Sequence, residues 1–143
     1  MLKITMTKSK SKFVTSHYEK RFERAIELRN SGDIDNALVI LNELIRDDPE
    51  YHYSYIIIGD IYWDMKEIDK AINAFKKATI LSPSSEKCSL CLFHVLWENE
   101  REEEALEEMK RFLKDYKSDE YNIILKEIVE KLNGKKEVAD TKC

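Results

Sequence analysis

Residues 52–85 read HYSYIIIGDIYWDMKEIDKAINAFKKATILSPSS, and this stretch decides the fold. Tyr55, Ile58 and Tyr62, then Ile68, Ala71, Ile72, Phe75 and Ala78, recur in steps of three and four, the mark of an apolar stripe along a helix. The phase breaks at Met65-Lys66-Glu67, so the stretch predicts two helices joined by a tight turn, with Pro83 at the junction that follows. Small residues at Gly59 and Ala71 let the two helices approach closely, and Tyr62 and Phe75 fill the space between neighbouring hairpins.

Outward from this stretch the pattern returns every 34 residues. Pro49 and Pro83 stand at that offset, as do Ala37, Ala71 and Ala105; Leu41, Phe75 and Met109; and Leu28, Tyr62 and Leu96. Three copies follow without a gap, at 18–51, 52–85 and 86–119. The predicted helices lie near 17–30, 34–46, 51–64, 68–80, 85–98 and 102–115. A seventh closes the array at 119–133, with Ile124, Leu125, Ile128, Val129 and Leu132 as its stripe and Asn133-Gly134 as its stop. Ser16-His17-Tyr18-Glu19 resembles a capping box for the first helix, and Gly32 in Asn30-Ser31-Gly32-Asp33 supplies a residue free to adopt positive φ. Residues 1–16 are read as a flexible basic tail and 135–143 as a second flexible tail, leaving 17–134 as the domain. Glycine and proline number only five in 143 residues, which argues against an all-β domain and its many turns.

With Tyr55-x2-Ile58-Gly59-x2-Tyr62, Ala71-x3-Phe75, Ala78 and Pro83 in view, the chain resembles the tetratricopeptide repeat family, matching its pattern of spacings as well as its period. The resemblance implies an all-α superhelix of three helical hairpins plus a capping helix. The first copy keeps Ala25, Leu28, Ala37, Leu41 and Pro49 but has Arg21 and Arg24 where apolar residues are expected. The third keeps Leu92, Leu96, Ala105 and Phe112, yet Ser89 replaces an aromatic, Phe93 replaces the small residue and Lys117 replaces proline. Phe93 opposite Ala105 implies a wider crossing or a local register shift in that hairpin.

In this family the first helix of each hairpin lines a concave groove. The groove positions carried onto this chain are Glu19, Phe22, Ile26, Arg29 and Asn30; Tyr53, Ile56, Asp60, Trp63 and Asp64; and Lys87, Leu90, His94, Trp97 and Glu98. The chain's two tryptophans fall at the same position one repeat apart. Such a groove implies a guest with an apolar or aromatic anchor flanked by Lys or Arg; the competing expectation is that the indoles pack against the closing helix as core. Some members hold a C-terminal carboxylate with lysines and asparagines. Here Phe22 and Ile26 stand where that clamp begins and only Lys87 has its character, which disfavours an acidic tail as guest.

Charge narrows the function classes. The total is −4, but 1–16 carries +4 and 135–143 carries +1, so 17–134 holds −9. An acidic body repels phosphate backbones, so no nucleic-acid partner is expected. No run approaches a membrane-spanning length and the start lacks a signal-type apolar region, so no membrane partner and a cytoplasmic setting are expected. Cys88-x2-Cys91 with His94 lacks the second ligand pair that structural zinc needs, and Cys88, Cys91 and Cys143 form no disulfide framework. The Glu-rich run 98–108, met by Lys110, Arg111 and Lys114, reads as a solvated helix face. No phosphate loop, HExxH or GxSxG motif occurs, so neither metal, cofactor nor catalytic residue is expected. The expectation is a non-enzymatic protein-binding module of adaptor or chaperone type. The alternatives are a dedicated inhibitor, such as an immunity protein blocking a toxic enzyme, and self-assembly as a homo-oligomer.

Overall fold

The computed structural model describes residues 17–141, with side chains through 135; the capping serine, the segment 1–16 and Cys143 lie outside the described residues. Seven helices and no strand occur among them: α1 (17–30), α2 (Ile34–Asp47), α3 (His52–Asp64), α4 (Ile68–Leu81), α5 (Glu86–Glu98), α6 (Glu102–Asp115) and α7 (Asp119–Thr141). The bounds of α2, α4 and α6 repeat at 34 residues, as do those of α3 and α5. The third hairpin therefore keeps register in spite of Phe93. What changes is spacing, since α3 and α4 pack more closely than α5 and α6.

Each inter-helix turn within a hairpin is the same hydrogen-bonded device. Asp33, Glu67 and Arg101 donate their backbone N–H to the carbonyls of Leu28, Tyr62 and Leu96 at 2.8, 2.9 and 2.9 Å. This six-to-one bond ends a helix when the residue before the donor is left-handed. Gly32, Lys66 and Glu100 take that role, at φ 90, 64 and 62. Left-handed backbone costs a side-chain-bearing residue about 1–2 kcal/mol, partly offset because glycine loses more freedom on folding. Lys66→Gly and Glu100→Gly are each expected to stabilise the fold by about 0.5–1 kcal/mol, read as a raised urea midpoint with an unchanged slope.

Connections this short force each helix antiparallel to the next, so α1, α3, α5 and α7 run in one direction. Contacts between their ends agree. Tyr18 at the start of α1 places its hydroxyl 3.2 Å from Ser54 Oγ at the start of α3 and donates to the Leu44 carbonyl. Ser118, just ahead of α7, donates to Glu86 at the start of α5 at 2.7 Å. One apolar cluster joins α1, α2, α3 and α4 through Ala25, Leu41, Ile61 and Ala74; a second joins α3 to α7 through Ile56, Phe75, Phe93, Phe112 and Tyr121. Arg21, unexpected at an apolar position, pairs with Asp47 at 2.5 Å and Glu43 at 3.5 Å, so the outer flank of the first hairpin is closed by ion pairs.

One departure concerns the C-terminal end. α7 does not stop at Asn133-Gly134 but runs on to Thr141. Gly134 has nothing near it and is not among the positive-φ glycines, so it is an ordinary helical residue. A glycine inside a helix costs only about 1 kcal/mol relative to alanine, too little to end it. Burial raises the phenols of Tyr18, Tyr51 and Tyr121 above their usual value, and pushes the Cys91 thiol up to about 11. The folded chain thus holds these protons more tightly than the unfolded one. That stability is complete below the unfolded values and is lost as pH rises through the folded ones. Urea midpoints are expected to fall steeply above about pH 10, by as much as about 1.4 kcal/mol per pH unit for each phenol, and Tyr121→Phe should flatten the fall.

Candidate functional site

The parallel helices α1, α3, α5 and α7 line one face, and two adjoining pockets open there. The first, about 660 Å³, lies between α3 and α5 and is bounded by Trp63, Glu86, Lys87, Leu90, Cys91, His94 and Glu98. The second, about 360 Å³, lies between α5 and α7, with Phe93, His94, Trp97, Ile124, Ile128 and Leu132 among its walls. His94 borders both, so the two indoles flank neighbouring compartments of one trough and do not share a pocket.

Each indole is fixed by an aromatic beneath it. Trp63 meets Phe75 edge-on, with ring centroids 6.2 Å apart and planes at 84°. Trp97 stacks on Phe93 at 5.6 Å and 15°, and Phe93 in turn meets Tyr121 edge-on at 5.5 Å. The large side chain that seemed misplaced in the third copy is therefore the platform for Trp97. Trp97 also faces the closing helix across the second pocket, so the competing expectation holds in part for it. Trp63 packs within its own hairpin instead.

The remaining groove residues divide by environment. Arg29 of α1 stands 3.8 Å from Asp60 and 3.6 Å from Asp64 of α3, tying the first two hairpins together on the groove side. Burial raises the Asp60 carboxyl above its usual value, outweighing the pull of Arg29, and Asp64 pushes the same way. Phe22 packs edge-on to Tyr51 at 5.6 Å, and Tyr51 lies 5.4 Å from the exposed Tyr53, which makes an aromatic rim where α1 and α3 begin. Ile26 is half-buried, while Glu19 and Asn30 are exposed. Ile56 corrects the sequence reading. It is 1% exposed, enclosed by the α3–α4–α5 core, and offers nothing to a guest.

Cys88 and Cys91 are free thiols, and burial raises both above their usual value, the opposite of what a reactive thiolate requires. Among the described residues no group of three or more metal-ligating side chains is gathered. Nor is any helix among them long and apolar enough to cross a membrane.

The α7 wall of the second pocket was missed by sequence reasoning, although a signal existed. Continued for a fourth copy, the groove positions fall on Tyr121, Ile124, Ile128, Lys131 and Leu132. The last four line the pocket, and Tyr121 is fully buried. Treating α7 as a cap hid its role as the first helix of a further, half-complete unit.

Comparison with known proteins bears on the fold. Residues 52–85 match the model of the tetratricopeptide repeat. In sequence, no curated protein matches. Among solved structures, the N-terminal domain of stress-induced protein-1 (STI-1) from C. elegans superposes with TM-score 0.68 at 16% identity, over 79% of this chain and 94% of that one. The type III secretion translocator chaperone SycD of Yersinia enterocolitica gives 0.65 at 14%, over 83% and 91%. A MamA fragment from Desulfovibrio magneticus RS-1 gives 0.61 at 20%, over 68% and 55%. The chain spans about half the length of the PilW chain and of most of the MamA chains it matches. Likeness at these identities concerns the stacked-hairpin architecture, which this chain shares.

Proposed function

We propose that this chain, a tetratricopeptide-repeat protein in its middle hairpin and in its stacked fold, is a non-enzymatic protein-binding module. It holds a segment of another protein along the concave trough, as an adaptor or chaperone does. The observation that carries this reading is the α3–α5 pocket. An indole and a leucine line a space of about 660 Å³ that is walled further by Glu86 and Glu98. Burying a large aromatic against a guest is worth roughly 2–3 kcal/mol, and tryptophan is enriched among residues that dominate binding. Asp60 and Asp64 add negative charge beside it, so a guest with an apolar anchor flanked by Lys or Arg gains from both terms. Because the hairpins are stacked and rigid, little ordering of the trough opposes association. Thiols buried as Cys88 and Cys91 are suit a reducing, cytoplasmic setting.

Phe22, Arg29, Tyr53, Asp60, Trp63, Asp64, Lys87, Leu90, His94 and Glu98 contribute the first compartment and its approach, and Trp97 the second. Trp63→Ala is expected to weaken partner binding by about 30-fold or more, near 2 kcal/mol, in isothermal titration. Ile80→Ala, on the exposed outer face, should leave binding unchanged. Equal affinities for wild type and Trp63→Ala would falsify the reading. Capture of a single folded enzyme, in place of several proteins sharing a short motif, moves the role to that of a dedicated inhibitor.

A further inference from the structure

The outer side of α7 has the pattern of a surface that receives a helix. Its entry repeats that of α5: Ser118 Oγ accepts the Tyr121 N–H at 3.0 Å, as Ser85 Oγ accepts the Cys88 N–H at 3.2 Å. When the two caps are matched, Tyr121 corresponds to Cys88, both 0% exposed, and Leu125 and Val129 correspond to Leu92 and Leu96. On α5 those two leucines are buried in one cluster with Ala105, Met109 and Phe112 of α6. On α7 no second helix covers their counterparts among the described residues. Leu125 is 42% exposed, Val129 46%, and Leu132, at the edge of the α5–α7 pocket, 58%. Spaced by four and then three residues, the three form a single stripe. Beside it runs an exposed polar row, Asn122, Lys126, Glu130 and Asn133.

We propose that this stripe is the contact surface for a second copy of the chain, joined through α7 about a two-fold axis near residue 128. Both rows read nearly the same from either end. Reversal sets Leu125 against Leu132 of the second copy, Val129 beside its own equivalent, Lys126 against Glu130 and Asn122 against Asn133. Each cation then meets a carboxylate and each amide an amide, a match that a foreign helix has no reason to share. A two-fold axis across α7 makes the paired helices antiparallel, which is the relation that α6 has to α5. The α7 of the second copy thus takes on α7 the place that α6 takes on α5. Three half-exposed apolar side chains a side fall short of the roughly 800 Å² per partner of a stable interface, so the dimer is of the weak, reversible class, half-associated on the order of 50 µM chain. The first compartment of the trough, between α3 and α5, stays open, and the inference does not rest on the proposed function.

Sedimentation velocity of the full chain provides the test. Its mass should rise from the 16.9 kDa of the monomer at about 1 µM toward twice that at about 500 µM. Val129→Glu should weaken association about tenfold or more. Lys126→Glu, which sets a carboxylate against Glu130, should weaken it about fivefold, and adding Glu130→Lys should restore it to within about twofold of the parent. Ile123→Ser, 55% exposed on the opposite side of α7, and Trp63→Ala should both leave it unchanged. The register is read separately in the Cys143→Ser chain with a mild oxidant: Val129→Cys should give a disulfide-linked dimer and Ile123→Cys should not. A monomer throughout the range overturns the proposal and leaves the stripe to a helix of another protein or to a segment of the same chain. A dimer indifferent to Val129→Glu, a charge exchange that restores nothing, or equal cross-linking of the two cysteines overturns it as well, by placing the contact elsewhere or in another orientation. Should the dimer form as described while Trp63→Ala leaves partner affinity intact, the α7 contact stands and the proposed function fails.

Discussion

Tyr121→Ala is expected to destabilise the fold by about 3–5 kcal/mol, the range for deleting a fully buried aromatic. Tyr121 is 0% exposed and is the largest fully buried side chain among the described residues. Its ring lies 5.5 Å from Phe93 and 5.8 Å from Phe112, filling the space that Ser89 leaves where the repeat pattern has an aromatic. Its hydroxyl stands 2.7 Å from Ser89 Oγ, which itself donates to Glu108 Oε1 at 2.8 Å, so the phenol must be the donor to Ser89. Arg111 closes the chain by donating to the same carboxylate and to the Pro83 carbonyl. Tyr121→Phe keeps the ring and removes one donor from a serine that still has its acceptor, at a cost of about 1 kcal/mol. Urea denaturation of both variants separates ring from hydroxyl, and comparable losses would show that the polar chain, not the ring, holds α7. In the alanine variant the Trp97 emission should shift first, because α7 loses its main anchor while the earlier hairpins keep theirs.

That position also shows what could be read from sequence and what could not. The helices were legible because each copy repeats its apolar stripe at a fixed period, and the observed bounds of α2, α4 and α6 preserve that period. The left-handed turns were legible only at Gly32; Lys66 and Glu100 adopt the same backbone with no glycine to announce it. Ser89 and Phe93 read as defects because their compensation is non-local. Tyr121, 32 residues beyond Ser89, supplies the missing ring and at the same time receives the edge of Phe93. The trough was partly legible. Trp63, Lys87, Leu90, His94 and Glu98 line one pocket as their common spacing suggested, yet Ile56, chosen by the same rule, is enclosed. Periodicity specifies which face of a helix points inward along the array. It does not specify how much of that face the next hairpin covers.

Gly59 is where packing and site are coupled most directly, and it carries the other large expected effect. A Cβ at this position would stand 2.5 Å from Phe75 Cε1 and 2.7 Å from Cδ1, inside van der Waals contact with a ring that is 0% exposed. Alanine favours a helix over glycine by about 1 kcal/mol, so propensity alone predicts that Gly59→Ala stabilises α3. The clash decides otherwise: overpacking a filled core costs about 1–3 kcal/mol, and Gly59→Leu should reach about 3 kcal/mol or more. Phe75→Leu, which shortens the obstructing side chain, should recover part of the loss in the double variant, with a coupling of about 0.5–3 kcal/mol by a double-mutant cycle. Additive losses would mean that the close α3–α4 approach does not depend on this pair. The displaced ring is also the one on which Trp63 rests edge-on at 6.2 Å. Gly59→Ala at a temperature where the chain is folded should therefore weaken partner binding although Gly59 itself is buried, and Phe75→Leu alone should do so without the clash. A stability loss with unchanged affinity would separate the two roles and leave Trp63 held by something other than the hairpin beneath it.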